Sequence, residues 1–419
     1  MRTEIFAKEK VNRGSQPEID MLKALCIFCM ILLHTYDDIG CDENLIYTAI
    51  DWVCAFLGAA AFMLCMGMGM RLSRHQQPGD YVMRGFELLT VGQFLNLLRN
   101  TLPNLIAYWI KGDQIFIANS LLVLQADILS FAGIAFFLLA LLKKVKCPDG
   151  AILGIGIGMN LLGYAIYGHI AYPKNFLVSQ LLGYFVVTDA ESFFPLFSYF
   201  VFVAAGYFIG GWYPRIRDKK ALSDRILMII LPVCVIYYAL RCTVGLPLLP
   251  EFYSMEQYIM QPGPDAIATI LASLIVLAVF YRIGNQGKTR QSARTHTTSE
   301  PASGGFMKLV NYFSSNINQY YCISYMFILP MQTILLAVRG ELLSGWVPAT
   351  LYGFFVIIAC YFIIEWNNKH LHWHIVTLQG TKRLVVFTGI WVLTIAAVAY
   401  AYPRIQEYAT YWNDYLLIR

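Results

Sequence analysis

The sequence has little charge. Asp, Glu, Lys and Arg make up 14% of its 419 residues, while hydrophobic residues make up 58%. A soluble globular domain carries roughly 25% charged residues, so this composition excludes an ordinary soluble enzyme. A disulfide framework is also missing. Most of the ten cysteines, among them Cys26, Cys29, Cys54, Cys65, Cys234, Cys322 and Cys360, sit inside apolar runs, where cysteine acts as a small hydrophobe. No CxxC pair is matched by a second pair at metal-ligand spacing. No cleavable signal peptide is evident, because polar residues and Pro17 precede the first apolar run; that run is expected to remain as the first span. No internal repeat is visible, which counts against a transporter built from inverted repeats. The net charge of +5 does not indicate nucleic acid, because the basic residues lie in loops where membrane topology explains them.

What the chain does have is a succession of apolar runs long enough to cross a bilayer. The pattern predicts an all-α polytopic membrane protein with about eleven spans, at 19–36, 45–70, 81–101, 117–142, 149–169, 192–212, 224–245, 265–283, 317–337, 346–366 and 383–402. The run 176–188 is too short to span and reads as interfacial or re-entrant, as does 101–110, which Pro103 interrupts. With the N-terminus inside, Lys and Arg of the tail and of 71–84, 143–146, 215–225, 282–308 and 369–383 fall on one side. Only Arg99, Lys111, Lys174, Arg339, Arg404 and Arg419 fall on the other, with Lys23 and Arg241 at membrane depth. That asymmetry predicts a cytoplasmic N-terminus and an extracytoplasmic C-terminus. The polar segment 285–305 reads as a flexible cytoplasmic linker. The expected organisation is a tail (1–18), an eight-span core (19–283), a linker (284–310) and a three-span bundle (311–419) in a bacterial cytoplasmic (inner) membrane.

Ionisable residues at membrane depth are costly and mark function or buried pairing. In the first span Lys23 and His34 are eleven residues apart, so they share one helix face about 16 Å apart along the axis. Asp20 can pair with Lys23, and Asp37 or Asp38, at i+3 and i+4 from His34, can orient its imidazole. The plainer reading is that Lys23 snorkels and His34 bonds a neighbouring helix. The third span carries Arg84, Glu87, Gln93, Asn96, Arg99 and Asn100. Its Gln93, Asn96 and Asn100 form a stripe that must face protein or water. Arg84 serves either as a phosphate ligand or as a topology anchor paired with Glu87. Asp51, Gln125, Asp127, His169 and Arg241 fall at similar depth near the outer side, which suggests one outward-opening polar cavity. The alternative is structural pairing of Arg241 with Asp51 or Asp127. The run from Glu365 through His370, His372 and His374 reads mainly as an interfacial anchor rather than a metal site.

These residues also carry a family resemblance. Ile19-Asp20-Met21-Leu22-Lys23 followed by His34 resembles the first helix of integral membrane acyltransferases, both acyltransferase family 3 and the heparan-α-glucosaminide N-acetyltransferase-like family. Three further segments are similar to the second family: Arg84-Gly85-Phe86-Glu87-Leu88-Leu89 with Asn96, Val123-Leu124-Gln125-Ala126-Asp127-Ile128-Leu129, and Phe194-Pro195-Leu196 through Gly206-Tyr207-Phe208-Ile209-Gly210. The resemblance covers about residues 15–215. The sequence departs from it in having Lys23 where arginine is usual. It also has His34 where animal members have asparagine, and an acidic first outer loop without their histidine.

The resemblance implies transfer of an acyl group, acetyl foremost, from cytoplasmic acyl-CoA to a hydroxyl or amine of an extracytoplasmic sugar. Its donor is acetyl-CoA or another acyl-CoA, its medium the lipid bilayer, and it needs no metal; a homodimer stays open. On this reading Lys23, Arg71, Arg74, Arg84 and Asn96 bind the donor, with arginine suited to phosphate. His34 acts as general base with Asp37 or Asp38, or carries an acyl intermediate. Asn96, Asn100 or Gln125 stabilise the oxyanion. Asp51, Gln125, Asp127 and Arg241 face the acceptor, with Glu191, Tyr199 and Tyr237 nearby. The competing readings are a transporter or flippase for a polar small molecule or lipid-linked sugar, and a subunit of a glycan-synthesis complex that has lost catalysis.

Overall fold

Pro17 opens the helix that the others surround. Its ring presets the first-turn backbone and it lacks the N–H that a helix start leaves unpaired. In the computed structural model this helix, α1 (Pro17–Ile39), packs against six others drawn from both ends of the chain. The structure describes residues 5–12, 16–40, 44–167, 169, 176–187, 192–244, 249–252, 254–292, 305–343, 345–372 and 381–405. Among them there are α-helices, short 3-10 and π turns, and one isolated bridge between Phe6 and Ile216. That bridge, with Ala7 N–H donating to the Arg215 carbonyl at 2.8 Å, holds the N-terminal segment against residues 214–217.

The chain turns at Gly40, whose φ of +98° only glycine adopts readily. There Leu343 N–H donates to the Ile39 carbonyl at 2.8 Å, and a Cβ on Gly40 would lie 2.6 Å from the Leu343 carbonyl oxygen. Next come α2 (Leu45–Phe56) and α3 (Gly58–Leu72), bent by 42° at their junction; the uninterrupted second span expected from the sequence is thus a broken one. α4 (Pro78–Asn96) passes through a π turn, Leu97–Thr101, into α5 (Leu102–Lys111), so the proline at 103 starts a helix rather than ending one. α6 (Gln114–Asn119) and a 3-10 turn lead to α7 (Ile128–Lys144), followed by α8 (Asp149–Ile166), the short α9 (Phe176–Gly183) and α10 (Leu196–Trp212). α11 (Lys219–Arg225) runs through a second π turn into α12 (Leu231–Thr243). After the short α13 (Met255–Met260) come α14 (Gly263–Ser292), α15 (Gly305–Ser315), α16 (Ile317–Arg339), α17 (Trp346–Trp366) and α18 (Thr381–Ile405). The predicted linker therefore begins as helix up to Ser292, and its segment 293–304 lies outside the described residues.

The protein is an all-α polytopic membrane protein. Among the described residues, eight helical segments are long and apolar enough to cross a membrane, nine with the bent α2–α3 pair. The count of eleven also includes α4, which carries Asp80, Arg84 and Glu87, and α7, which has 17 residues. Side chains such as Val235, Ile236, Phe355 and Phe362 are exposed, as lipid-facing residues are. Apolar surface gives no drive between helices in lipid, so close backbone approach through small residues takes its place. A Cβ on Gly206 would meet the Leu64 carbonyl oxygen of α3 at 2.0 Å, and one on Gly85 the Gly133 carbonyl oxygen of α7 at 2.8 Å. Two glycines of the family-like segments thus lock the pairs α3–α10 and α4–α7. One continuous core holds side chains from α1, α3, α4, α7, α8, α10, α16 and α17.

Candidate active site

The N-terminal end of α1 faces a cavity of about 850 Å³, within the range that holds cofactor-sized ligands. Its polar walls include Lys23, His75, Arg84, Glu87 and Arg383. Farther along α4 and α7 it is apolar, with Leu88, Phe136, Ala132, Leu129 and Ile128. Glu87 accepts from Arg84 at 3.3 Å and also from Arg383, so one carboxylate is shared by two guanidinium groups. Lys23 makes no ion pair among the described residues, so the wall keeps a positive excess. Asp20 does not pair with Lys23; it accepts from the Ser314 hydroxyl at 2.6 Å. Of the cations expected to act together, the structure gathers Lys23 and Arg84 and adds Arg383. Arg71 lies apart, bonded to Asp149 at 2.9 Å, and Arg74 is exposed.

At the other end of α1, His34 is half-buried between two groups. Its Nδ1 lies 3.8 Å from the Asp38 carboxylate, within ion-pair range but beyond a hydrogen bond. Asp38 in turn lies 3.5 Å from the Gln332 amide of α16. Asp37 turns away; it is exposed and accepts from the Tyr47 hydroxyl at 3.2 Å. The imidazole's second neighbour is Tyr325 of α16, with ring centroids 5.0 Å apart. The Arg99 guanidinium covers the same Tyr325 ring, 4.5 Å from its centroid, a cation–π distance.

Arg99 leads to a second buried acid. It lies 3.4 Å from the Asp127 carboxylate, and both are almost wholly buried. Asp127 does two further things. It caps α7 by accepting from Ser130 N–H at 2.9 Å, and it stands 3.5 Å from the Tyr321 hydroxyl. Asp127 caps α7 immediately before Ile128 and Leu129, which line the large cavity, so the cluster adjoins the cavity wall along the chain. The polar stripe of α4 packs here as well. Asn96 donates to the carbonyls of Val123 and Gln125, both at 3.2 Å, and Gln93 donates to the Tyr184 hydroxyl at 2.9 Å. Burial, then the charge of Asp127, raises the Tyr184 pKa, so that phenol stays neutral and donates to the Leu124 carbonyl. Among the described residues, four buried polar atoms of this stripe have no hydrogen-bond partner: Gln93 Oε1, Asn96 Oδ1, Arg99 Nε and Asn100 Nδ2. The π turn at Leu97–Thr101 carries Arg99 and Asn100, and such turns recur at functional sites.

Other expected residues fall elsewhere. Arg241 pairs with neither Asp51 nor Asp127. It binds Asp265 through two contacts of 3.1 Å, donates to the Pro250 carbonyl at 2.7 Å and lies over Phe252. Tyr237 donates to the same Asp265. Tyr199 is fully buried and donates to the Tyr258 carbonyl at 2.6 Å. Asp51 is half-buried on α2, and Gln125 receives Asn96 through its backbone carbonyl. His169 sits exposed beside the Tyr167 carbonyl. Glu191 and His374 lie outside the described residues, and no group of three metal-ligating side chains gathers among the described ones. The sequence reading missed Tyr321, Tyr325 and a site role for Arg99, which it counted among the polar residues of the third span and as a topology marker. The signal was present: Tyr321 and Tyr325 are i,i+4 in the ninth span, and Arg99 extends the Asn96 stripe at i+3.

Comparison with known proteins adds one finding. A family model described as heparan-alpha-glucosaminide N-acetyltransferase, catalytic, matches residues 16–236. No curated protein and no solved structure matches the chain. The matched region contains Lys23, His34, Arg84, Arg99 and Asp127, and ends before α16, which supplies Tyr321, Tyr325 and Gln332.

Proposed function

Since the chain belongs to the heparan-α-glucosaminide N-acetyltransferase catalytic family, a family of membrane acetyltransferases that use acetyl-CoA, we propose that it moves an acetyl group from cytoplasmic acetyl-CoA to a hydroxyl or amine of an extracytoplasmic sugar. One observation carries this reading. The cavity beside Lys23, Arg84 and Arg383 reaches the first turn of α7, and Asp127, which caps that turn, is linked by contacts through Arg99 and Tyr325 to His34. The cationic part suits the donor's phosphates, and the apolar part suits its uncharged arm.

His34 is the base in this scheme. It takes the proton from the acceptor hydroxyl or amine as that atom bonds to the acyl carbon; the carbon–sulfur bond breaks, and the departing CoA thiolate takes that proton from the imidazolium. Asp38, held by Gln332, is the carboxylate that orients the imidazole and balances its charge. Arg99 supplies a buried positive charge near the developing oxyanion. Tyr325 fixes His34 and Arg99 relative to each other. Asn96 supports the site through the 123–125 backbone rather than by touching the donor.

His34→Ala tests the proposal in purified protein, with acetyl transfer to a sugar acceptor and acetyl-CoA binding measured separately. Turnover should fall by about 10²–10⁴, while acetyl-CoA still raises the melting temperature. Wild-type turnover in a folded His34→Ala protein would falsify the mechanism.

A further inference from the structure

A second pocket, of about 320 Å³, lies beside the first and takes no part in the proposed reaction. Its lining includes Arg71, Gln76, Lys143, Lys146, Asp149 and Tyr207. It is built where α3 and α7 end and α8 begins, at the same end of the bundle as Lys23. Gly211 of α10 adjoins the pocket's Arg71 and Asp149, and the next residue, Trp212, is exposed, as indole rings at a membrane interface are.

Its charges are not balanced. Arg71 is answered by Asp149 at 2.9 Å. Lys143 has only neutral partners among the described residues: the Gln76 amide oxygen at 2.9 Å, the Tyr207 hydroxyl at 3.2 Å, and the Tyr81 and Tyr207 rings. Its ammonium is therefore half-buried and held in place without a carboxylate.

Lys146 adds an independent sign. It ends α7 in the left-handed conformation, with φ +56°. Cys147 N–H donates to the Leu142 carbonyl at 2.9 Å and Lys146 N–H to the Lys143 carbonyl at 3.0 Å. That is a Schellman end, whose left-handed position favours glycine. A lysine there accepts backbone strain in return for a cation at the pocket's edge, and such outliers cluster at ligand sites.

We propose that this pocket binds the phosphate of an anionic phospholipid headgroup. Lys143 and Lys146 supply the charge, and the exposed Trp212 marks the level of the membrane interface. Basic pockets between helices at the membrane surface recognise headgroups in this way.

The test uses the full chain in neutral detergent and follows its melting temperature. The additions are short-chain phosphatidylglycerol, phosphatidylcholine of equal chain length, or inorganic phosphate. Phosphatidylglycerol should stabilise more than the other two. Lys146→Gly should keep or raise the melting temperature without lipid, because it relieves the strained φ. It should also weaken phosphatidylglycerol binding about fivefold, as should Lys143→Gln. The glycine variant serves alone if Lys143→Gln does not fold. Equal shifts from both lipids, a full shift from inorganic phosphate, or wild-type lipid affinity in Lys146→Gly would each overturn the proposal. So would loss of the acetyl-CoA shift in these variants, since the pocket would then belong to the donor site.

Discussion

Two buried arginine–aspartate pairs stand in the helical bundle, and they differ in how completely they are satisfied. Arg241 reaches Asp265 through two nitrogens, bonds the Pro250 carbonyl and lies over Phe252, while Tyr237 completes the carboxylate. Arg99 reaches Asp127 through one contact of 3.4 Å and lies over Tyr325, but among the described residues its Nε has no hydrogen-bond partner, nor do nearby atoms of Gln93, Asn96 and Asn100. Buried polar groups are normally paired, because each unpaired one costs desolvation without return. A closed set of contacts identifies a structural tie. The set left open lies on a π turn, one tyrosine ring from His34, and under the proposed function it is where a reacting group completes the bonding.

The contrast can be broken from either side. The largest effect is expected at the closed pair. Arg241→Leu leaves Asp265 buried without its counter-charge, and should lower stability by about 3–5 kcal/mol, while the folded fraction turns over at the wild-type rate. Thermal unfolding and active-site-normalised kcat check this. A kcat loss larger than the stability loss would place Arg241 in the site and end the comparison. At the open pair, Arg99→Lys keeps the charge but loses the planar guanidinium over Tyr325. Turnover should fall by about 10²–10³, with the acetyl-CoA melting shift retained.

Smaller effects sharpen the picture. Arg84→Gln removes one cation of the cavity and should raise KM for acetyl-CoA about tenfold with little change in kcat. Tyr325→Leu should lower kcat about fivefold by loosening His34. Tyr325→Phe keeps the ring between His34 and Arg99 and should stay near wild type. A phenylalanine variant as slow as the leucine one would make the hydroxyl, rather than the ring, the working group.

The fold was largely legible in the sequence, and the site only in part. Apolar runs and basic loops are one-dimensional signals, so the helical class followed from them directly. His34, Asp38, Lys23, Arg84 and Asp127 were also visible, because an ionisable residue in an apolar run stands out where it occurs. Partnerships were not. Asp51 and Asp127 both looked available to Arg241, yet Asp265 holds it, since spacing along the chain does not say which helices touch. Asp37 and Asp38 looked equivalent beside His34, until packing on α16 and α2 turned one inward and the other out.

The sequence by itself determined that the chain is a helical membrane protein and which polar residues lie at membrane depth. It also held the family's motifs over its first half. Only the tertiary structure decided that α1 is enclosed by helices from both ends of the chain, and that Tyr325 from α16 stands between His34 and Arg99. The reason is physical. Hydropathy places a helix in the membrane by summing over its own residues, whereas pairing depends on close backbone approach. That approach arises where glycines such as Gly206 and Gly85 meet a particular neighbour.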